Sequence, residues 1–145
     1  MKYTLNEGAF ELPDSTQDRT VNVLILSDAP AGLSLVVNRD WFEPGENFEA
    51  FIKRQVNTVS RQVKQFQEHA RQNVKVGTAR LAGLQLDTSF KQNSQTFHQQ
   101  QTVFQVPSGM VLVVTLTSAI PLTREHRELS QRMLESFAPS AAPSM

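Results

Sequence analysis

The chain contains no cysteine. That absence removes disulfides and thiolate chemistry, and it permits a reducing compartment. It also lacks an excess of charge of either sign. Lys plus Arg and Asp plus Glu number 14 each, so nothing in the balance calls for nucleic acid or an anionic membrane. Histidine is scarce. His69, His98 and His126 have no metal-ligand spacing to one another. The six glycines are scattered, and no G-x-S-x-G, P-loop or dinucleotide fingerprint occurs. Asp14, Asp18, Asp28, Asp40 and Asp87 lie in or near turn signals without an acid–base pairing. No nucleophile with a base can be named; a small hydrolase or ligand-binding enzyme stays open as a third reading, one that requires a closed pocket of convergent titratable groups, and the expectation is a protein that is not an enzyme and uses no metal or cofactor.

Long apolar runs are missing too. No stretch approaches the roughly 20 residues that cross a bilayer, so no stable membrane insertion is expected. The opening MKYTLNEGAFELPD has no apolar core of the kind found in signal peptides. The expected location is therefore the cytoplasm. With 145 residues, 39% hydrophobic and 19% charged, the composition suits one soluble domain with a real core. Residues 1–138 are taken as that domain. The small, Pro-containing tail 139–145 is expected to be disordered.

What is present is organised around His98–Thr117, HQQQTVFQVPSGMVLVVTLT. Two strand-like runs flank the turn signal Pro107-Ser108-Gly109. In the second run Met110, Leu112, Val114 and Leu116 share one face, and Val111, Val113 and Thr115 share the other. Both faces are apolar, so both need cover. The first run places Gln99, Gln100, Gln101 and Gln105 beside it.

The rest of the chain is taken in order. Tyr3–Leu12 reads as extended, with a break at Asn6-Glu7-Gly8. Thr20–Leu26 and Leu33–Asn38 read as strands around a turn at Ala29–Gly32. An amphipathic helix is expected from about Glu46 to about Gln72, on the spacing of Phe48, Phe51, Ile52, Val56, Val59, Val63, Phe66 and Ala70. Val74–Leu81 reads as extended, followed by a turn at Ala82-Gly83 and a strand Leu84–Phe90. The hairpin Thr96–Val106 and Met110–Ser118 comes next. A final helix, about Arg124–Phe137, is capped by Thr123. The expected fold is α+β: a largely antiparallel sheet of six to seven strands, with one long and one shorter helix packed on it.

Two helices are thin cover for so much apolar sheet. Either a closed three-layer core uses it all, or part of one face is left for a partner. The glutamines bear on the second case. An amide offers a donor and an acceptor without the desolvation cost of an ion.

Three segments together resemble a known family. They are Tyr3-x-Leu5-x-Glu7-Gly8-x-Phe10-x-Leu12-Pro13, Asp18-Arg19-Thr20-Val21-Asn22, and the late hairpin with Gln100, Leu112-x-x-Thr115-Leu116 and a helix ending Ser136-Phe137. Over residues 2–138 the chain is similar to the DcrB-like family that contains the Eag chaperones of bacterial type VI secretion. The resemblance implies a PsbP-like fold and a non-catalytic homodimer. It implies a partner as well: the hydrophobic N-terminal transmembrane helices of a secreted effector, shielded in the cytoplasm and loaded on the VgrG spike. The partner-binding residues it suggests are Val21, Val23 and Ile25 on the early strand, Gln100 on the late one, and Gln62 on the helix. They are expected to form one cradle on one sheet face, although a register change of one residue would exchange the sets. The alternative is a PsbP-like adaptor that binds a folded partner.

Overall fold

The computed structural model describes residues 1–27 and 32–140. Its elements run β1 (Lys2–Thr4), β2 (Ala9–Glu11), β3 (Asn22–Ser27), β4 (Leu33–Asp40), α1 (Phe48–Ser60), β5 (Lys64–Val76), β6 (Leu81–Gln92), β7 (Gln95–Gln105), β8 (Val111–Ser118) and α2 (Arg124–Glu135). The fold is α+β, as the pattern predicts. Six strands form one antiparallel sheet in the order β3-β4-β8-β7-β6-β5, and β1 and β2 form a separate hairpin. The break read at Asn6-Glu7-Gly8 is that hairpin's turn, closed by Leu5 N–H donating to Gly8 O at 2.7 Å. The turn at Ala29–Gly32 and the disordered tail fall largely outside the described residues.

Each sheet face carries one helix. Phe51 and Ile52 of α1 are buried against Leu84, Leu86, Val103 and Val111. Phe42, on the loop before the helix, adds edge-on contacts to Phe48 and Phe51 at 5.3 and 5.6 Å between ring centroids. On the other face Leu129, Met133 and Leu134 of α2 lie over Leu33, Leu35, Leu116 and Phe104. The apolar residues on both sides of β8 are explained by this arrangement: the strand sits between two helical layers. Both helices start on a side-chain cap. Asn47 Oδ1 accepts from Ala50 N–H at 2.9 Å. Thr123 and His126 form a reciprocal capping box, so His126 serves the helix end rather than only facing solvent.

The structure corrects the long helix. It ends at Ser60, and residues 64–76 form strand β5. Val56-Asn57-Thr58-Val59-Ser60 is a run of weak helix formers, and the Gln62 and Val63 N–H groups close the helix by donating to Val59 O. Beyond it, pairing with β6 satisfies the backbone. Val63, Phe66 and Ala70 keep the helical spacing by coincidence, and two irregularities in the β5–β6 register absorb it. Consequently α1 has 13 residues and α2 has 12, rather than one long and one short. Arg71 does not close a helix. It lies on β5 and bonds Glu68 and Glu49. His69 is also on β5, its Nε2 2.7 Å from Ser89 Oγ.

The turn read at Ala82-Gly83 is instead at Gly77–Arg80, and Gly83 lies within β6. A glycine is needed there because a Cβ would come within 2.8 Å of Val103 O on the neighbouring strand.

Candidate functional site: a half-covered sheet face

Helix α1 leaves part of its own face open. Following the register, Val23 stands opposite Val36, then Thr115, Gln101 and Leu86. The next row runs Ile25, Ser34, Thr117, Gln99 and Thr88. Neither row contains a charge before β5. Val23 and Ile25 are 62% and 69% exposed. The rows form the floor of a trough beside α1, whose Gln55, Val56 and Val59 line one wall. Phe90 and Phe97 stack at 5.5 Å between ring centroids near its far end. A hollow of about 250 Å³ occupies the middle.

Polar groups in the trough are partly matched to one another. Gln99 Nε2 donates to Thr117 Oγ1 at 3.1 Å, and Gln101 Nε2 donates to Gln99 Oε1 at 3.2 Å. Thr88 is 2% exposed and its Oγ1 has no hydrogen-bond partner among the described residues. A buried hydroxyl without a partner is unfavourable unless something else supplies one. The β5 end is closed by Arg71, held between Glu68 and Glu49. The Glu68 carboxylate is the main cause that holds the Arg71 guanidinium above its ordinary pKa. The β3 end is open, because β3 is the edge of the sheet.

The sequence-derived residues do not all meet here. Val23 and Ile25 lie side by side on the floor, and Val21 continues their line just before β3, next to Trp41 and Met110. Gln100 points to the opposite face. It is 6% exposed, and its Oε1 accepts from Ser130 Oγ of α2. Gln62 is exposed in the connection between α1 and β5 rather than on the helix. The amides that share the trough with Val23 and Ile25 are Gln99 and Gln101. The sequence signal for them was parity: residues 99 and 101 alternate with 100 on one strand. Linking that parity to β3 requires the register through β4 and β8, which the sequence does not state.

No group of three His, Cys, Asp or Glu converges as a metal site among the described residues. No helix among them is long and apolar enough to cross a membrane.

A solved structure of a Pseudomonas aeruginosa protein of unknown function, PA94, superposes with a TM-score of 0.74, covering 98% of each chain at 23% identity. This likeness establishes the shared fold. The P. aeruginosa protein named effector EagT6 is 26% identical over 144 residues, spanning 98% of both chains. Residues 7–136 match the DcrB family, and over that span, nearly all of its length, the chain belongs to that family.

Proposed function

We propose that the protein is a non-catalytic chaperone or adaptor whose trough holds an apolar helix of a type VI secretion effector. One observation carries the reading: Val23 and Ile25 stand exposed on a charge-free floor that a helix covers only in part. The similarity to effector EagT6 supports the class of partner. A hydrophobic N-terminal transmembrane segment is the partner of matching chemistry. In a bilayer such a helix meets no water, and its small polar residues seek neutral partners. Val23, Val36 and Ile25 supply apolar contact, while Thr115, Thr117, Gln99 and Gln101 offer uncharged donors and acceptors. Handing the segment to the VgrG spike in the cytoplasm is the corresponding later step.

Size bears on the stoichiometry. Leu86 and Thr88 of β6 are already buried, so the open floor spans β3, β4, β8 and β7, about 14 Å at about 4.8 Å spacing, or about 10 helical residues. A full span needs about 20. A homodimer continuing past the open β3 end lengthens the shielded path.

The second reading is an adaptor for a folded partner. Leu24 is exposed on the other face of β3, which the trough does not use. An edge strand apolar on both sides also suits strand addition.

Co-expression with the apolar N-terminal segment of an effector, followed by light scattering, tests the first reading. The expected result is a soluble complex containing two copies of this chain. Val23→Asp and Ile25→Asp should abolish co-purification while leaving the thermal midpoint nearly unchanged, since both side chains are exposed. A segment that precipitates beside soluble wild-type protein overturns the trough reading in favour of the adaptor. Binding that survives both substitutions moves the site elsewhere.

A further inference from the structure

The reciprocal cap of α2 is built on a residue that titrates. In a capping box the third helical residue is usually Glu or Gln, whose side chain accepts from the N-cap N–H and does not change state near neutrality. Here that residue is His126. Its Nδ1 accepts from Thr123 N–H at 3.2 Å, while its own backbone N–H donates to Thr123 Oγ1 at 3.1 Å. Only the neutral ring, with its proton on Nε2, can accept in this way. In the imidazolium both ring nitrogens are donors, so two N–H groups would face each other. The added charge would also stand in the first turn, at the positive end of the helix dipole. Protonation therefore removes a bond and adds a repulsion at the same place.

The charges around the cap are already matched to one another. Arg124 Nε donates to Glu128 at 3.0 Å. Arg127 Nη1 donates to both carboxylate oxygens of Asp87 on β6, at 3.1 and 3.0 Å. Glu125 is the remaining carboxylate of the first turn, and adjacent positions on a helix do not face each other. Of the strands on that side, β6 also carries Lys91. β5 and β7 carry the other imidazoles, His69, whose Nε2 lies 2.7 Å from Ser89 Oγ, and His98. β4 and β8 present the apolar Leu33, Leu35 and Leu116. No uncommitted carboxylate on the sheet stands ready to offset a charge on His126 among the described residues.

The cap is coupled to the hold of α2 on the sheet. Arg127 N–H donates to Thr123 O at 3.1 Å, so the capped turn sets where Arg127 stands when it reaches Asp87. Leu122 and Leu129, before and after that turn, pack on Leu33, Leu35 and Leu116. We propose that the first turn of α2 is an acid-released latch. At neutral pH the His126 cap holds Arg127 on Asp87 and the start of α2 over the sheet. In acid the turn opens and that hold loosens. Imidazole is the side chain that changes charge between about pH 5 and 8, whereas carboxylates as a class titrate lower. The fold uses the neutral ring, so this stabilisation is present above that window and is lost as the pH falls through it. The latch lies on the face opposite the trough and does not depend on what the trough holds.

The test is amide hydrogen exchange on the full-length ¹⁵N-labelled protein at about pH 7.5 and about pH 5.5, each rate divided by the intrinsic rate at that pH. Protection of the amides at positions 126 and 127 should fall about fivefold on acidification, the scale of one lost helix cap. His126→Gln keeps an acceptor that does not titrate, so its protection should stay constant. His126→Ala has no acceptor and should be poorly protected at both pH values. Replacing the other two imidazoles, His69→Gln with His98→Gln, should leave the fall intact. If that double variant fails to fold, His126→Gln decides alone. Protection in the wild type that does not respond to pH overturns the proposal. So does an equal fall in His126→Gln, full protection in His126→Ala, or a fall that disappears with His69 and His98.

Discussion

Single side chains carry much of what this domain can be asked. Thr88 has a buried hydroxyl with no partner among the described residues. Valine has the same shape without the hydroxyl. Thr88→Val should therefore raise stability by about 1 kcal/mol in urea unfolding, because it removes an unpaired polar group from the interior. A drop in stability would show that Thr88 is bonded in solution.

Glu46 gives a second residue-scale expectation. Arg54 donates to it through Nε at 3.0 Å and Nη2 at 2.9 Å, pinning the Trp41–Asn47 loop to α1. These bonds hold the Glu46 carboxyl below its ordinary value of 4.5. A depressed carboxyl stabilises the fold above its unfolded pKa, and that contribution is lost as pH falls through the folded value. The thermal midpoints of wild type and Glu46→Gln should thus differ at neutral pH and converge below pH 4.5. A gap that stays constant into acid would mean the pair contributes nothing through ionisation.

Among the elements, the β5–β6 hairpin and α2 are locked at one point. Gly77 has φ +78°, and Thr78 N–H donates to Phe137 O at 2.8 Å. A Cβ on Gly77 would stand 2.3 Å from that same oxygen. Gly45 has nearly the same φ, +79°, with nothing within 4 Å. Gly45→Ala should cost only the left-handed backbone penalty, about 1–2 kcal/mol. Gly77→Ala must also displace the end of α2, so it should cost about 2 kcal/mol more. Equal losses in chemical denaturation would show that the α2 terminus yields freely.

The elements also show what a single sequence reveals. Alternation in β3, β4 and β8, the α2 cap at Thr123 and the antiparallel layout were legible, because they rest on local spacing. The end of α1 was not. Val59, Val63, Phe66 and Ala70 satisfy a helical period, while the choice of strand is made by β6, which needs a hydrogen-bonded neighbour. The trough was half legible for a related reason. Val23 and Ile25 stand out locally, but selecting Gln99 and Gln101 over Gln100 depends on two intervening strand pairings.

Across the whole molecule, the two edges of the sheet are built differently. β5 carries Lys64, Glu68, His69, Arg71 and Lys75 and a kinked register, features that discourage pairing with another chain. β3, Asn22–Ser27, has no charged residue and leaves Val23, Leu24, Ile25 and Leu26 exposed. The partner surface proposed for the trough follows that asymmetry, with apolar contact at the β3 end.

The strand order has a consequence for how the molecule is made. β4 pairs on its inner side with β8, Leu33 opposite Ser118 and Asp40 opposite Val111. On a ribosome the β3–β4 hairpin is complete long before its neighbour exists. Residues 41–110 must be synthesised first, which takes about 4–14 s at 5–20 residues per second. Throughout that interval Leu33 and Leu35 lack both β8 and α2, the two elements that bury them in the folded chain. A protein proposed to guard greasy segments begins its own life exposing one.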